Sequence, residues 1–128
     1  MYPWPVNRAR DLTRNLVLNV VADAPGEMTV GAIAAELGVA QPVASRAIAA
    51  CIAEGLMRRA ASQADGRRTV VHLTAAGEAE RSRFAAEQRA AFEAITESWD
   101  SADRTRFAHY LVRYGRDAAV WCARDRSH

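Results

Sequence analysis

Apolar residues recur along this chain at helical spacing in five stretches and at strand spacing in two. From Arg8 to about Asp23, Leu12, Leu16, Val17, Val20 and Val21 form the apolar face of a first predicted helix, and Pro25-Gly26 ends it. Thr29 is placed to cap a short second helix whose apolar positions are Ile33, Ala34 and Leu37. Gly38 follows, where a sharp turn favours a residue with no Cβ. Gln41 and Pro42 open a third helix; proline is welcome in a first turn because its missing N–H would be unpaired there anyway. That helix runs to about Glu54 and stops at Gly55. Ala44, Ile48, Cys51 and Ile52 make its apolar stripe, and the opposite face presents Gln41, Val43, Ser45, Arg46, Ala49 and Ala50.

Two strand-like runs come next, Leu56–Arg59 and Thr69–Leu73, on either side of a polar tip carrying Asp65, Gly66, Arg67 and Arg68. The Asp-Gly pair predicts a tight reversal with positive φ at Gly66. Thr74 opens a long helix to about Ser98, with Ala76, Phe84, Ala91, Phe92 and Ile95 on its apolar face and Trp99 just beyond. Asp100 or Ser101 caps a last helix to about Arg124. There Phe107, Leu111, Tyr114, Ala118 and Trp121 recur at four, three, four and three residues, a heptad-like seam more regular than one small core demands. Gly31, Gly77 and Gly115 stand apart from the other glycines, which fit turns or helix ends.

Charge sharpens this picture. The net charge is only +2, but it is unevenly placed: from Gln41 to Thr69 five arginines face Glu54 and Asp65, a local surplus of three, while the rest of the chain is near balance. Gln, Ser and Arg at the start of a helix after a tight turn suit the base edges and phosphates of a DNA major groove. Guanidinium groups on a protruding ribbon suit phosphates or a narrow groove. The plainer alternatives are an αα-corner inside a helical domain and a surface hairpin with solvated arginines. Every basic side chain is arginine and none is lysine, which a GC-rich coding sequence would produce as readily as a functional demand.

Other chemistries find little support. His72, His109 and His128 have no neighbours at metal-ligand spacing, so no metal site is expected. No glycine-rich phosphate loop or trustworthy nucleophile–base order is present, so neither an enzyme nor a cofactor is expected. Cys51 and Cys122, the two cysteines, are expected to be reduced packing residues. No apolar segment approaches membrane-spanning length and the N-terminus lacks an export signature, so no membrane partner and a cytoplasmic location are expected.

Ordered landmarks carry a resemblance. Leu37-Gly38-Val39 sits at the turn, Ser45-Arg46 in the third helix and Glu54-Gly55-Leu56 at its end. Arg59 opens the ribbon, Asp65 and Arg67 form an Asp-x-Arg pair, and Leu73-Thr74 with Gly77 starts the next helix. The run Thr29–Thr74 thereby resembles the winged helix-turn-helix domain of the multiple antibiotic resistance regulator (MarR) family, and the likeness continues more weakly through the last two helices. The resemblance implies a mainly α fold with a small β-wing, in one domain spanning residues 1–128. Residues 8–74 would form the winged helix-turn-helix, with a recognition helix at about 41–54 and a wing at 56–73; residues 75–124 would form C-terminal helices.

By position, Gln41, Pro42, Val43, Ser45 and Arg46 would face the major groove or its phosphates. Arg67 would enter the minor groove from the wing, with Arg59 and Arg68 beside it, and Asp65 would hold Arg67 or brace the wing. The family also implies a homodimer through the last helices, with Phe107, Leu111, Tyr114, Ala118 and Trp121 at the interface. The partners expected are double-stranded DNA, a second copy of the chain and a small-molecule effector.

Some positions depart from the family pattern. Ala49 and Ala50 stand where a polar or charged side chain is usual, Cys51 replaces a core leucine, and Gly66 replaces a common wing arginine. Relatives carry a further helix before the one that starts near Arg8; Met1 to Asn7 hold two prolines, so that helix is not expected here, and Tyr2 and Trp4 are expected to pack as an extended arm. The function expected is a dimeric transcriptional regulator, a repressor on a pseudo-palindromic operator. The alternative is a winged-helix protein-interaction module that does not read DNA, motivated by the alanine-rich face.

Overall fold

The computed structural model describes residues 8–126, and the arm expected around Tyr2 and Trp4 lies outside them. In chain order the elements are α1 (Arg8–Asp23), α2 (Val30–Leu37), α3 (Gln41–Ala53), β1 (Met57–Ala61), β2 (Thr69–Leu73), α4 (Ala75–Ile95) and α5 (Ser101–Arg126). The mainly helical architecture with a two-stranded antiparallel sheet is the one the periodicity predicts. The chain divides into two compact units, the first ending at Glu87 and the second beginning at Gln88.

In the first unit, α1 packs against α2, α3 and β2, and α2 packs against α3. Val17, Leu18, Ile33, Ile48, Cys51, Leu56, Met57 and Val71 form the buried core. Full burial of each large aliphatic stabilises the unit by about 1.5–3 kcal/mol relative to exposure. The buried side of α1 is rotated from the one expected. Leu12 and Leu16 are 48% and 49% exposed, whereas Asn15 and Leu18 are buried. An asparagine takes a core position because its amide Nδ2 donates to the Asp11 carbonyl at 2.9 Å and to Glu80 Oε1 at 3.3 Å. Hydropathy cannot anticipate a buried polar residue whose amide N–H groups reach a distant partner.

The turns around α3 are set by glycine. Gly38 ends α2 with φ 70°. The N–H of Gly38 reaches the Ala35 carbonyl and that of Val39 reaches Ala34, the paired bonds of a Schellman stop. Gly55 (φ 77°) repeats the device after α3: its N–H donates to the Ile52 carbonyl, and the Leu56 N–H donates to Cys51. Thr29 caps α2 as expected, its Oγ1 accepting the Ala32 N–H at 3.1 Å.

Antiparallel pairing of β1 and β2 puts Met57 opposite Leu73 and Ala61 opposite Thr69. A bridge between Met28 and Val71 brings a third segment alongside the ribbon, which the sequence pattern did not reveal. Thr74 then caps α4, its Oγ1 accepting the Gly77 N–H at 3.1 Å and donating to the Gly55 carbonyl at 2.6 Å.

An ionic cluster ties the end of α3 to α1 and α4. The Arg14 guanidinium contacts Asp11 at 2.6 Å, Glu54 at 2.7 Å and Glu80 at 3.1 Å. Glu80 also receives Arg83 at 2.6 Å. The hydrogen bond from Arg83 is the largest influence holding the Glu80 carboxyl down at about 2; burial opposes it, and Asn15 and Arg14 add to the depression.

The second unit is organised around Thr96, which is buried. Its Oγ1 donates to the Phe92 carbonyl at 2.8 Å and accepts from Arg104 Nε at 3.0 Å. Phe107 stacks on Phe92 with centroids 6.1 Å apart and meets the edge of Trp99 at 5.3 Å. Ile95 and Trp99, read from the pattern as apolar contacts of the long helix, are substantially exposed. Along α5, Tyr110, Leu111, Val112, Val120 and the seam residues Phe107, Tyr114 and Trp121 are exposed, Tyr114 by 74% and Trp121 by 68%. Ala118 is half-buried.

Candidate nucleic-acid interface

The third helix presents its polar face outward because its apolar stripe is occupied. Ala44, Ile48 and Cys51 are buried against the core, so Gln41, Pro42, Val43, Arg46, Ala49 and Ala50 are exposed and Ser45 is half-buried. No side chain caps its N-terminus at Ala40. Pro42 has no N–H and the Val43 N–H already donates to the Ala40 carbonyl at 3.0 Å, so what this helix start offers an anion is chiefly the positive end of the helix dipole. The Gln41 amide oxygen reaches back toward Gly31 of α2, at 3.7 Å from where a Cβ would stand there. Burial and its carboxylate neighbour Glu54 push the Cys51 thiol up to about 11, so it is a packing group rather than a reactive thiolate. Cys122, expected to pack as well, is exposed.

In the wing, Arg58 stands opposite His72 and Arg59 opposite Val71. Both arginines are exposed, as are Asp65, Arg67 and Arg68 at the tip. The tip is not the tight glycine reversal expected. Positive φ among the described residues occurs at Gly38 and Gly55, not at Gly66. The strands are joined by a longer loop in which the Ser62 N–H donates to the Arg68 carbonyl and the Arg68 N–H to the Asp65 carbonyl, both at 2.9 Å. Asp65 Oδ1 accepts the Arg67 backbone N–H at 3.1 Å. The Asp-x-Arg pair thus works here as a side-chain-braced turn, with the guanidinium of Arg67 left outward.

Side chains that sequence reading did not single out hold this loop. Glu27, between α1 and α2, accepts the Ser62 hydroxyl at 2.6 Å and the Gln63 N–H at 2.8 Å. Ser62 Oγ in turn accepts the N–H groups of Ala64 and Asp65, each at 3.1 Å. These bonds hold the Glu27 carboxyl below the usual range; the Ser62 hydroxyl contributes most, then the Gln63 N–H, with His72 adding a smaller pull. Arg58 was also passed over, although its adjacency to Arg59 was a visible signal. Glu27 carried none, because its partners lie 35 and 36 residues away.

From Arg14 onward, the arginines of this unit fall into two groups. Arg14, Arg81 and Arg83 sit in ion pairs with acidic side chains. Arg46, Arg58, Arg59, Arg67 and Arg68 make no ion pair among the described residues, and all five are exposed on α3 or the wing. A cationic surface without internal counter-charge is what a polyanion requires. Among the described residues no cluster of His, Cys, Asp or Glu could hold a metal ion, and no helix is long and apolar enough to cross a membrane.

Comparison with known proteins places this geometry. Residues 12–68 match the MarR family model. Among solved structures, a point mutant of S. aureus MepR is 15% identical with a TM-score of 0.68, the match covering 88% of this chain and 89% of that one. YusO from Bacillus subtilis is 17% identical with a TM-score of 0.68, covering 81% and 73%. Streptococcus pneumoniae FabT, solved in complex with DNA, is 18% identical with a TM-score of 0.63, covering 84% and 74%. At such identities these structures speak for the fold. No curated protein matches the chain. The matched segment, residues 12–68, runs from α1 to the wing tip, so the likeness to the MarR family rests on the winged helix-turn-helix.

Proposed function

We propose that this protein is a sequence-specific DNA-binding transcriptional regulator that acts as a homodimer, and that it represses. The observation that carries the reading is the segregation of arginines: from Arg14 onward, those of the first unit that make no ion pair among the described residues lie on α3 and the wing. In this reading Gln41, Val43, Ser45 and Arg46 face a major groove, with the first turn at Pro42 against a phosphate. Arg67 enters the flanking minor groove, with Arg58, Arg59 and Arg68 along the backbone. The DNA complex of FabT, a protein of the same fold, supports it. The exposed Ala49 and Ala50 offer methyl contacts rather than hydrogen bonds, so base reading rests on the first two turns of α3.

The homodimer rests on the apolar row of α5, in which Phe107, Leu111, Tyr114 and Trp121 are exposed and Ala118 is half-buried. A patch of this kind marks a contact surface. A two-fold pair of reading helices would meet major grooves about one helical turn apart, which makes the operator roughly palindromic. Sedimentation equilibrium should return twice the 14.0 kDa chain mass. A monomer at micromolar concentration would remove the dimer from the reading. Release by a small-molecule effector belongs to the same reading. An open cavity of about 320 Å³ lined by Leu16, Asn19, Val20, Asp23, Pro25 and Met28 is a place for one.

The test is selection of bound duplexes from genomic fragments, followed by titration of the recovered duplex at several salt concentrations. Arg67→Ala is expected to weaken binding and to lower the salt slope by roughly one unit. If no fragment binds in a salt-dependent way, while a protein partner is captured whose binding survives Arg46→Ala and Arg67→Ala, the fold serves as a protein-interaction module instead.

A further inference from the structure

We propose that Glu27 is a positioning residue for the wing: its carboxylate fastens the loop after β1 to the segment between α1 and α2, and so fixes where Arg67 and Arg68 stand relative to α3. This rests on the DNA-binding reading above. The wing tip has little else to hold it. Among the described residues its side chains from Gln63 to Thr69 are exposed, and its two arginines make no ion pair. A two-stranded ribbon of this length is marginal by itself.

Two attachments join the ribbon to the preceding segment, and they are neighbours in sequence. The Met28 bridge to Val71, with the Val71 N–H donating to the Met28 carbonyl at 3.0 Å, holds the ribbon at mid-strand. Glu27 holds its far end, through the Ser62 hydroxyl at 2.6 Å and the Gln63 N–H at 2.8 Å, with the Ala64 N–H more distant at 3.5 Å. Both carboxylate oxygens are used, so the loop is fixed in direction as well as in distance. Ser62 passes the restraint on, because its oxygen collects the Ala64 and Asp65 N–H groups at the start of the turn that carries Arg67. Met28 leads directly to Thr29, the cap of α2, and α2 packs on α3. The chain of contacts therefore runs from the wing tip to the helix-turn-helix through one acidic side chain. An acidic residue in a cationic surface weakens attraction for phosphate by its charge alone, so its presence there calls for a positional role.

The test compares wild type, Glu27→Ala, Glu27→Gln and Ser62→Ala, using the duplex recovered with wild type from genomic fragments. Amide hydrogen exchange of Gln63 and Ala64 is measured in the free proteins. The expected result is lost protection at those two amides in Glu27→Ala, with the core amides unchanged. DNA affinity should fall about tenfold and the salt slope should drop by roughly one unit, although the variant removes a negative charge. Glu27→Gln keeps the size but turns one oxygen into a donor facing donors, so it should resemble Glu27→Ala. Ser62→Ala should lie between, and add little to Glu27→Ala. A loss through general destabilisation would lower affinity without changing the slope, and that outcome overturns the proposal. Protection retained in Glu27→Ala, or affinity equal to or above wild type, overturns it also. Failure of wild type to bind any duplex instead removes the DNA-binding reading, and the proposal with it.

Discussion

Gly77→Ala is expected to cost this protein about 3 kcal/mol or more, because a methyl group there would overlap main chain and not a yielding side chain. A Cβ on Gly77 would land on the Leu56 carbonyl oxygen, with the carbonyl carbon 3.2 Å away and Leu73 Cγ 3.3 Å away. That carbonyl cannot step aside cheaply. It accepts the Thr74 N–H at 3.0 Å, and Leu56 is held from its other side by the bond of its own N–H to Cys51. Thr74 Oγ1 meanwhile links Gly55 to Gly77 across the same junction. Relief therefore requires moving α4 away from the end of α3 and the start of β1 together. Urea denaturation followed by far-UV circular dichroism should show a large fall in midpoint for Gly77→Ala. Gly66→Ala is a suitable control, because no atom lies within 4 Å of a Cβ there and its φ is not positive. Equal midpoints for Gly77→Ala and wild type would show that α4 can shift freely.

Arg14→Ala should destabilise the first unit by about 2–3 kcal/mol near neutral pH, less than for a fully buried pair because the cluster keeps some contact with water. The Arg14 side chain is 17% exposed and is shared by Asp11, Glu54 and Glu80. Without it these carboxylates face one another across the junction of α1, α3 and α4, with Arg83 still on Glu80.

The pH dependence separates this cause from lost packing. Glu80 has its pKa lowered in the folded state, to about 2, with Arg83 the largest cause and Arg14 among the others. Its contribution is therefore complete above the ordinary glutamate value of about 4.3 and is lost as pH falls from there toward about 2. In Arg14→Ala the Glu80 carboxyl loses one of the charges that hold it down, so it protonates at higher pH, and protonation relieves the repulsion that the substitution creates. The stability gap between variant and wild type should thus be widest at pH 7 and shrink by pH 3. A gap that stays constant over that range would assign the cost to packing.

Much of the fold was legible because its signals are local. Thr29, Gly38 and Gly55 act within one turn of their own backbone, so cap and turn chemistry located α2 and α3 to within a residue. The first strand was placed one residue early and two residues short, since Arg59-Ala60-Ala61 carries no alternation to extend it. The tip was misread for a related reason. Asp-Gly signals a two-residue reversal only when strand pairing reaches it, and here Glu27 and Ser62 hold a wider loop in which Gly66 needs no positive φ. The candidate reading face could be named from the sequence because it is the complement of an apolar stripe. The ion pairing of its arginines could not, since that depends on which acidic residues come near.

The amino-acid sequence by itself determined the order and type of elements, the turn before α3, the end of α3 and the landmarks of the MarR family, all of which depend on residues within a few positions of one another. Only the tertiary structure decided that Asn15 rather than Leu12 is buried, that Gly77 must lack a side chain, that Arg14 is committed to three carboxylates while Arg67 is not, and that Glu27 holds the wing. Each of those facts joins residues tens of positions apart. Hydropathy and propensity describe a residue and its near neighbours, whereas satisfaction of charge, hydrogen bonds and space is settled by whichever distant groups the packed chain brings within a few ångströms.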